Sequence, residues 1–196
     1  MSAVTLTAAL IYSCGAAAAI VWDGPDVLFS KVGTQPDSVQ DVLSAEVSLT
    51  RGNSGILFNP LGGDTGPAVG TPTGTRWAFD TAIGNPGDAA FAAANFAELT
   101  FLPFLAAVGG PTSAGGAGVP NVVLGNPGVL HLVAADVYLD IQFLSWTSAF
   151  DNPGSAVEYL RSSAAVVPVP AALPLFAAGL ALLRWRGRAP RAPRHH

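Results

Sequence analysis

Residues 129–146 read VLHLVAADVYLDIQFLSW, and the alternation inside this stretch decides the fold class. Val137, Leu139, Ile141 and Phe143 fall on one side of an extended chain; Asp136, Tyr138, Asp140 and Gln142 fall on the other. Successive side chains of a strand point to opposite faces, so a period of two predicts a strand with one face in a core. Moving outward, Val47 and Leu49 alternate with Glu46, Ser48 and Thr50, and Leu99 and Phe101 with Glu98 and Thr100. Further strands are expected over residues 27–32, 76–79, 129–133 and 158–162. Turn signals separate them: Gly62-Gly63-Asp64, Asn85-Pro86-Gly87, Asn126-Pro127-Gly128 and Asn152-Pro153-Gly154.

The alanine-rich run 88–96 starts with a capping aspartate and allows one short helix. Residues 108–120 form a long Gly-rich loop. Short strands joined by Gly/Pro turns predict an all-β fold, an antiparallel β-sandwich of jelly-roll type with at most one short helix.

Half of the 196 residues are hydrophobic and only 11% are charged, against a usual share of about 25%. Residues 20–165 form the expected secreted domain, long enough to bury one core. All 13 acidic residues lie in it, against Lys31, Arg51, Arg76 and Arg161. That charge argues against nucleic acid as a partner, which needs a basic footprint. It suits a secreted acidic protein kept soluble by self-repulsion.

The two ends have a different character. Residues 1–19 read as a signal peptide, with an apolar run at 4–11 and small residues at 16–19, although no Lys or Arg precedes the run. Cys14 offers a lipoprotein alternative, with bulky Tyr12 two positions before it. Cleavage after Ala19 leaves a domain without cysteine, which must be held by its core alone.

At the other end, residues 167–188 read VPVPAALPLFAAGLALLRWRGR. Residues 166–183 carry no charge, and as a helix would span about 27 Å, the short end of a bilayer core. Pro168 and Pro170 keep the start extended, which predicts a transmembrane helix over 171–183 with Pro174 in its first turn. Such a helix is only about 20 Å long, better suited to a transient anchor than a permanent one. Arg184, Arg186 and Arg188 follow, and residues 189–196 make a basic cytoplasmic tail.

This order resembles the PEP-CTERM sorting signal of Gram-negative bacteria: a proline motif (Val167, Pro168, Val169, Pro170), a short apolar segment with a mid-run glycine (Gly179), then Arg184, Arg186 and Arg188. The resemblance implies recognition by an exosortase, a membrane-embedded cysteine transpeptidase that works alongside exopolysaccharide export. The family's usual Pro-Glu-Pro reads Pro168-Val169-Pro170 here, which leaves open which sorting enzyme reads the tail. A plain single-pass anchor is the alternative. The openings VWDGPDVLFSK (21–31) and VSLTRGNSGILFNP (47–60), with the stretch 129–146, resemble an uncharacterised secreted family that often carries such a tail.

These features imply an exported protein, held briefly in the inner membrane and then placed at the cell surface or in the extracellular matrix. The expected role is structural or adhesive in exopolysaccharide or biofilm, with no catalytic activity and no cofactor. The alternative is a carbohydrate-binding module: Tyr138 and Trp146 share strand parity, and with Trp77 would offer sugar-stacking rings.

Catalytic and metal sites find little footing. Asp136 and Asp140, four apart on one strand, would lie about 13 Å from each other. That exceeds the roughly 5–9.5 Å of paired glycosidase carboxylates and the reach of one calcium ion. The expectation is solvated outer-face aspartates that discourage edge pairing. Residues 151–154, DNPG, read as an Asx-type turn. His131 with Asp136 suggests part of a triad, but no nucleophile motif accompanies them, and a satisfied strand histidine is expected. A hydrolase would require His131 to converge with two carboxylates.

Overall fold

The computed structural model describes residues 18–79, 92–110, 118–147 and 154–165. Among them the chain is mostly β, with antiparallel sheets and a few short helices. The strands are β1 (Ile20–Trp22), β2 (Gly24–Lys31), β3 (Asp41–Val42), β4 (Ser48–Arg51), β5 (Leu57–Phe58), β6 (Thr75–Phe79), β7 (Pro127–Leu132), β8 (Val137–Trp146) and β9 (Val157–Ser163). Two short α-helices, α1 (Phe104–Ala107) and α2 (Val119–Val123), lie between β6 and β7.

One sheet runs β2-β9-β8-β7-β6, and the small sheet runs β3-β4-β5. The ten-residue β8 is the axis of the large sheet. On one side it pairs with β7 from Val137 to Gln142. On the other, its first residues take β1 in parallel and the rest takes β9 antiparallel. The alternation read from sequence is realised here: Val137, Leu139, Ile141 and Phe143 are buried, whereas Asp140, Gln142 and Leu144 are exposed.

One hydrophobic cluster draws on both sheets. Leu49, Ile56 and Leu57 come from or border the small sheet; Trp77, Phe79, Leu130, Leu139, Phe143 and Tyr159 come from the large one; Phe104 and Val123 come from the helices. Trp77 and Phe104 meet edge to face at 4.9 Å between ring centres, the arrangement favoured by the ring quadrupoles. Gly128 makes room for this packing, since a Cβ there would stand 2.8 Å from the Phe79 ring.

Polar side chains clasp the two sheets. Lys31 on β2 is 1% exposed and donates from Nζ to Thr50 Oγ1 (3.0 Å), the Arg51 carbonyl (2.6 Å) and Asp37 Oδ1 (3.1 Å). Arg51 donates to the carbonyls of Gly55 (2.9 Å) and Ala156 (2.6 Å) and lies 4.1 Å over the Trp146 ring. Arg161 on β9 grips Asp41 on β3 with two contacts of 2.7 Å, while the Tyr159 hydroxyl donates to the same carboxylate at 3.0 Å. Each buried charge is thereby compensated by hydrogen bonds, the condition for holding it away from water.

The structure differs from the sequence reading in several places. Glu98–Phe101 is not a strand: Ala93–Glu98 forms a 3₁₀ turn, and Leu102 bridges to Trp77. The expected helix over 88–96 therefore gives way to that turn in its described part, while α1 and α2 form elsewhere, α2 at the end of the expected loop 108–120. All four residues of β4 are buried, where alternation predicted a wet face. Ser48 and Thr50 tolerate this because Ser48 Oγ donates to Asn59 Oδ1 (3.5 Å) and accepts the Leu61 N–H (3.4 Å), and Thr50 Oγ1 donates to the Val39 carbonyl (2.7 Å). Asp136 is not on a strand either; it ends the 133–136 turn of the β7–β8 hairpin at φ 48°. Aspartate tolerates that left-handed conformation better than most side chains.

Residues 1–17 of the expected signal peptide 1–19, with Cys14, and residues 166–196, with the expected helix over 171–183, lie outside the described residues. Among those described, no helix is long and apolar enough to cross a membrane.

Candidate functional site

The outer face of the large sheet, opposite the main core, carries two features. The first is an aromatic pile over β7 and β8. Tyr138 lies between Phe96 and His131, with ring centres 4.1 Å away on each side and interplanar angles of 21° and 3°. Phe101 meets both Tyr138 and His131 edge-on. His131 Nε2 pairs with Asp136 Oδ1 at 3.1 Å, so His131 is a partnered strand residue. Beneath the pile Ala78, Ala93, Leu99 and Val129 make a small second core. Burial raises the Tyr138 hydroxyl above its ordinary pKa, and the neighbouring Asp136 carboxylate adds to that by hydrogen bond and charge.

The second feature is a groove of about 330 Å³ between β8 and β9, closed at its rims by Asp26, Ala92 and Gly128. That volume lies at the lower end of the roughly 300–1,000 Å³ of small-molecule sites. Its floor is polar. Asp140 Oδ1 accepts the Ala93 N–H at 2.7 Å, and the Asp140 N–H donates to Ser162 Oγ at 3.0 Å. Gln142 projects from the next outward position of β8, and Asp26 reaches the rim from the bulge between Gly24 and Val27 of β2. Burial raises the Asp140 carboxyl above the ordinary aspartate pKa; the Ala93 N–H opposes this and the charge of Asp26 reinforces it.

Of the rings expected to stack on sugars, Trp77 and Trp146 are not on this face. Trp77 is 0% exposed and Trp146 5% exposed, both within the main core. The parity argument fails at Trp146 because a register shift between Phe143 and Ser145 turns β8 over. Its indole N–H is buried with no hydrogen-bond partner among the described residues. Tyr138 does project outward, but both faces of its ring are occupied.

Asp140 belongs with Asp26 rather than with Asp136, and His131 does not line the groove. Among the described residues no cluster of three or more metal-ligating side chains forms. Asp26, Gln142 and Ser162 were not singled out from sequence. Gln142 was within reach, since it shares parity with Asp140; Asp26 and Ser162 depend on a bulge and on the β8–β9 register, which no periodicity announces. The tail residues Val167, Pro168, Val169, Pro170, Gly179, Arg184, Arg186 and Arg188 lie outside the described residues. Compared with protein-family models, curated proteins and solved structures, the chain finds no match.

Proposed function

We propose that this is an exported protein delivered by its C-terminal tail and retained at the cell surface or in an extracellular matrix, where it acts as a structural or adhesive component. The observation that carries this reading is the order of features over 167–188: paired prolines, a short uncharged run and three arginines. Translocation puts the domain outside, the 171–183 helix halts in the inner membrane, and an exosortase-type transpeptidase acts near 167–170. The placing of β1 agrees with such processing, since it begins at Ile20, the residue that cleavage after Ala19 would make the first. The two sheets around one core support reading the domain as a β-sandwich of jelly-roll type. Mass spectrometry of the surface-exposed protein from its native host tests the reading. A mature C-terminus near Pro170 is expected; recovery of the intact arginine tail would indicate a plain anchor.

The carbohydrate-binding alternative keeps one specific support, the polar groove around Asp140, in place of the aromatic rings. Among the described residues His131 meets the Asp136 carboxylate and does not converge with a second, so they lend the hydrolase reading no support.

A further inference from the structure

The groove holds acceptors and donors in the combination that adjacent ring hydroxyls require. A sugar hydroxyl donates one hydrogen and accepts others. The Asp140 carboxylate only accepts, and its Oδ1 is already fixed by the Ala93 N–H, which sets the orientation of the whole group. Ser162 is 5% exposed; its Oγ accepts the Asp140 N–H, and its own hydrogen has no acceptor among the described residues. That hydrogen is left to donate to a group that enters the groove. The exposed Gln142 amide beside it both donates and accepts. Leu160, half-buried on β9, gives an apolar wall for ring C–H groups.

We propose that this groove binds a neutral sugar residue through neighbouring hydroxyls, one donating to Asp140 and the next accepting from Ser162, with Gln142 completing the contact. The ligand is neutral because Asp26 and Asp140 face the same space and repel a carboxylated or sulfated sugar. The proposal rests on the alternative, carbohydrate-binding reading of the domain and gives that reading a site. A single open site of this size, with a few hydrogen bonds, holds a monosaccharide in the millimolar range.

The test is a ¹H–¹⁵N spectrum of the full-length chain in a zwitterionic detergent without a sugar headgroup. It is titrated in turn with glucose, galactose, mannose and glucuronate. The expected result is saturable movement of the Gln142 side-chain amide and the Ala93 and Asp140 backbone amides with at least one hexose, and binding of glucuronate about tenfold weaker or worse. Asp140→Asn and Gln142→Ala, both at exposed positions, should each weaken the hexose about tenfold, the loss of one hydrogen bond to a polar or charged group. Shifts that persist unchanged in both variants, or glucuronate binding as well as the hexoses, would overturn the groove. If none of the three hexoses moves these amides, the groove falls as well; co-sedimentation of the full chain with the host's exopolysaccharide then decides whether the broader reading survives it.

Discussion

Asp41 and Arg161 are 7% and 8% exposed, and their two 2.7 Å contacts join a strand of the small sheet to a central strand of the large one. Removing one partner leaves the other charged and buried. Asp41→Ala is therefore expected to cost about 3–5 kcal/mol in urea denaturation. The double variant Asp41→Leu/Arg161→Met should cost clearly less than the sum of its single changes. Tyr159 belongs to the same cluster. Burial, followed by the Asp41 charge, raises its hydroxyl well above the ordinary tyrosine pKa. In the unfolded chain the phenol loses its proton near pH ~10 while the folded chain keeps it, so this contribution is intact below pH ~10 and is lost as pH climbs beyond it. Alkaline unfolding followed by circular dichroism should coincide with the rise of tyrosinate absorbance. In Tyr159→Phe the fall in stability above pH ~10 should be shallower.

Among the elements, β8 was the most legible from sequence and β1 the least. A long alternation survives in the structure because every second side chain of β8 from Val137 to Phe143 enters one core, and six of the nine strands among the described residues fall where strands were expected. The three missed, β1, β3 and β5, have two or three residues, too few for a period to show. Alternation also reports only one face at a time. On β4 both faces are buried, and polar Ser48 and Thr50 read as outward although Asn59, Val39 and Lys31 satisfy them inside. The groove was illegible for a related reason, since its residues come from four strands and meet through a bulge and a register. The bulge after Phe143 has an energetic consequence at Trp146. Its unpartnered indole N–H contributes no hydrogen bond, so Trp146→Phe should change stability by no more than about 1.5 kcal/mol, whereas Trp146→Ala should cost about 3–5 kcal/mol. Thermal or urea unfolding of the two variants checks the contrast.

For the whole molecule, the distribution of charge matters more than its sum. Lys31, Arg51 and Arg161 are spent inside as clasps, and of the four cations between residues 20 and 165 only Arg76 is exposed. Burial pulls the Arg51 guanidinium down to about 10, still charged at neutral pH, which suits a cation held by two carbonyls and an aromatic ring. The outer surface is consequently more acidic than the chain's net charge of −4 suggests. Once the arginine tail is removed, binding to a polyanion such as heparin or DNA should be undetectable at physiological salt, as a filter-binding assay would show. Trypsin acting on the native protein should leave Lys31, Arg51 and Arg161 uncut within the domain while cutting them after denaturation, a contrast that peptide mapping reads directly.

Lys31 is the only lysine in the chain, and its ammonium lies under three oxygen acceptors with 1% of its surface in contact with water. Reagents that acylate amines will find no lysine to react with on this folded domain and can reach it only through a free α-amino group. An inventory of a cell envelope assembled by amine biotinylation would under-count the protein even where it is abundant, and carboxyl-directed tags would report it better.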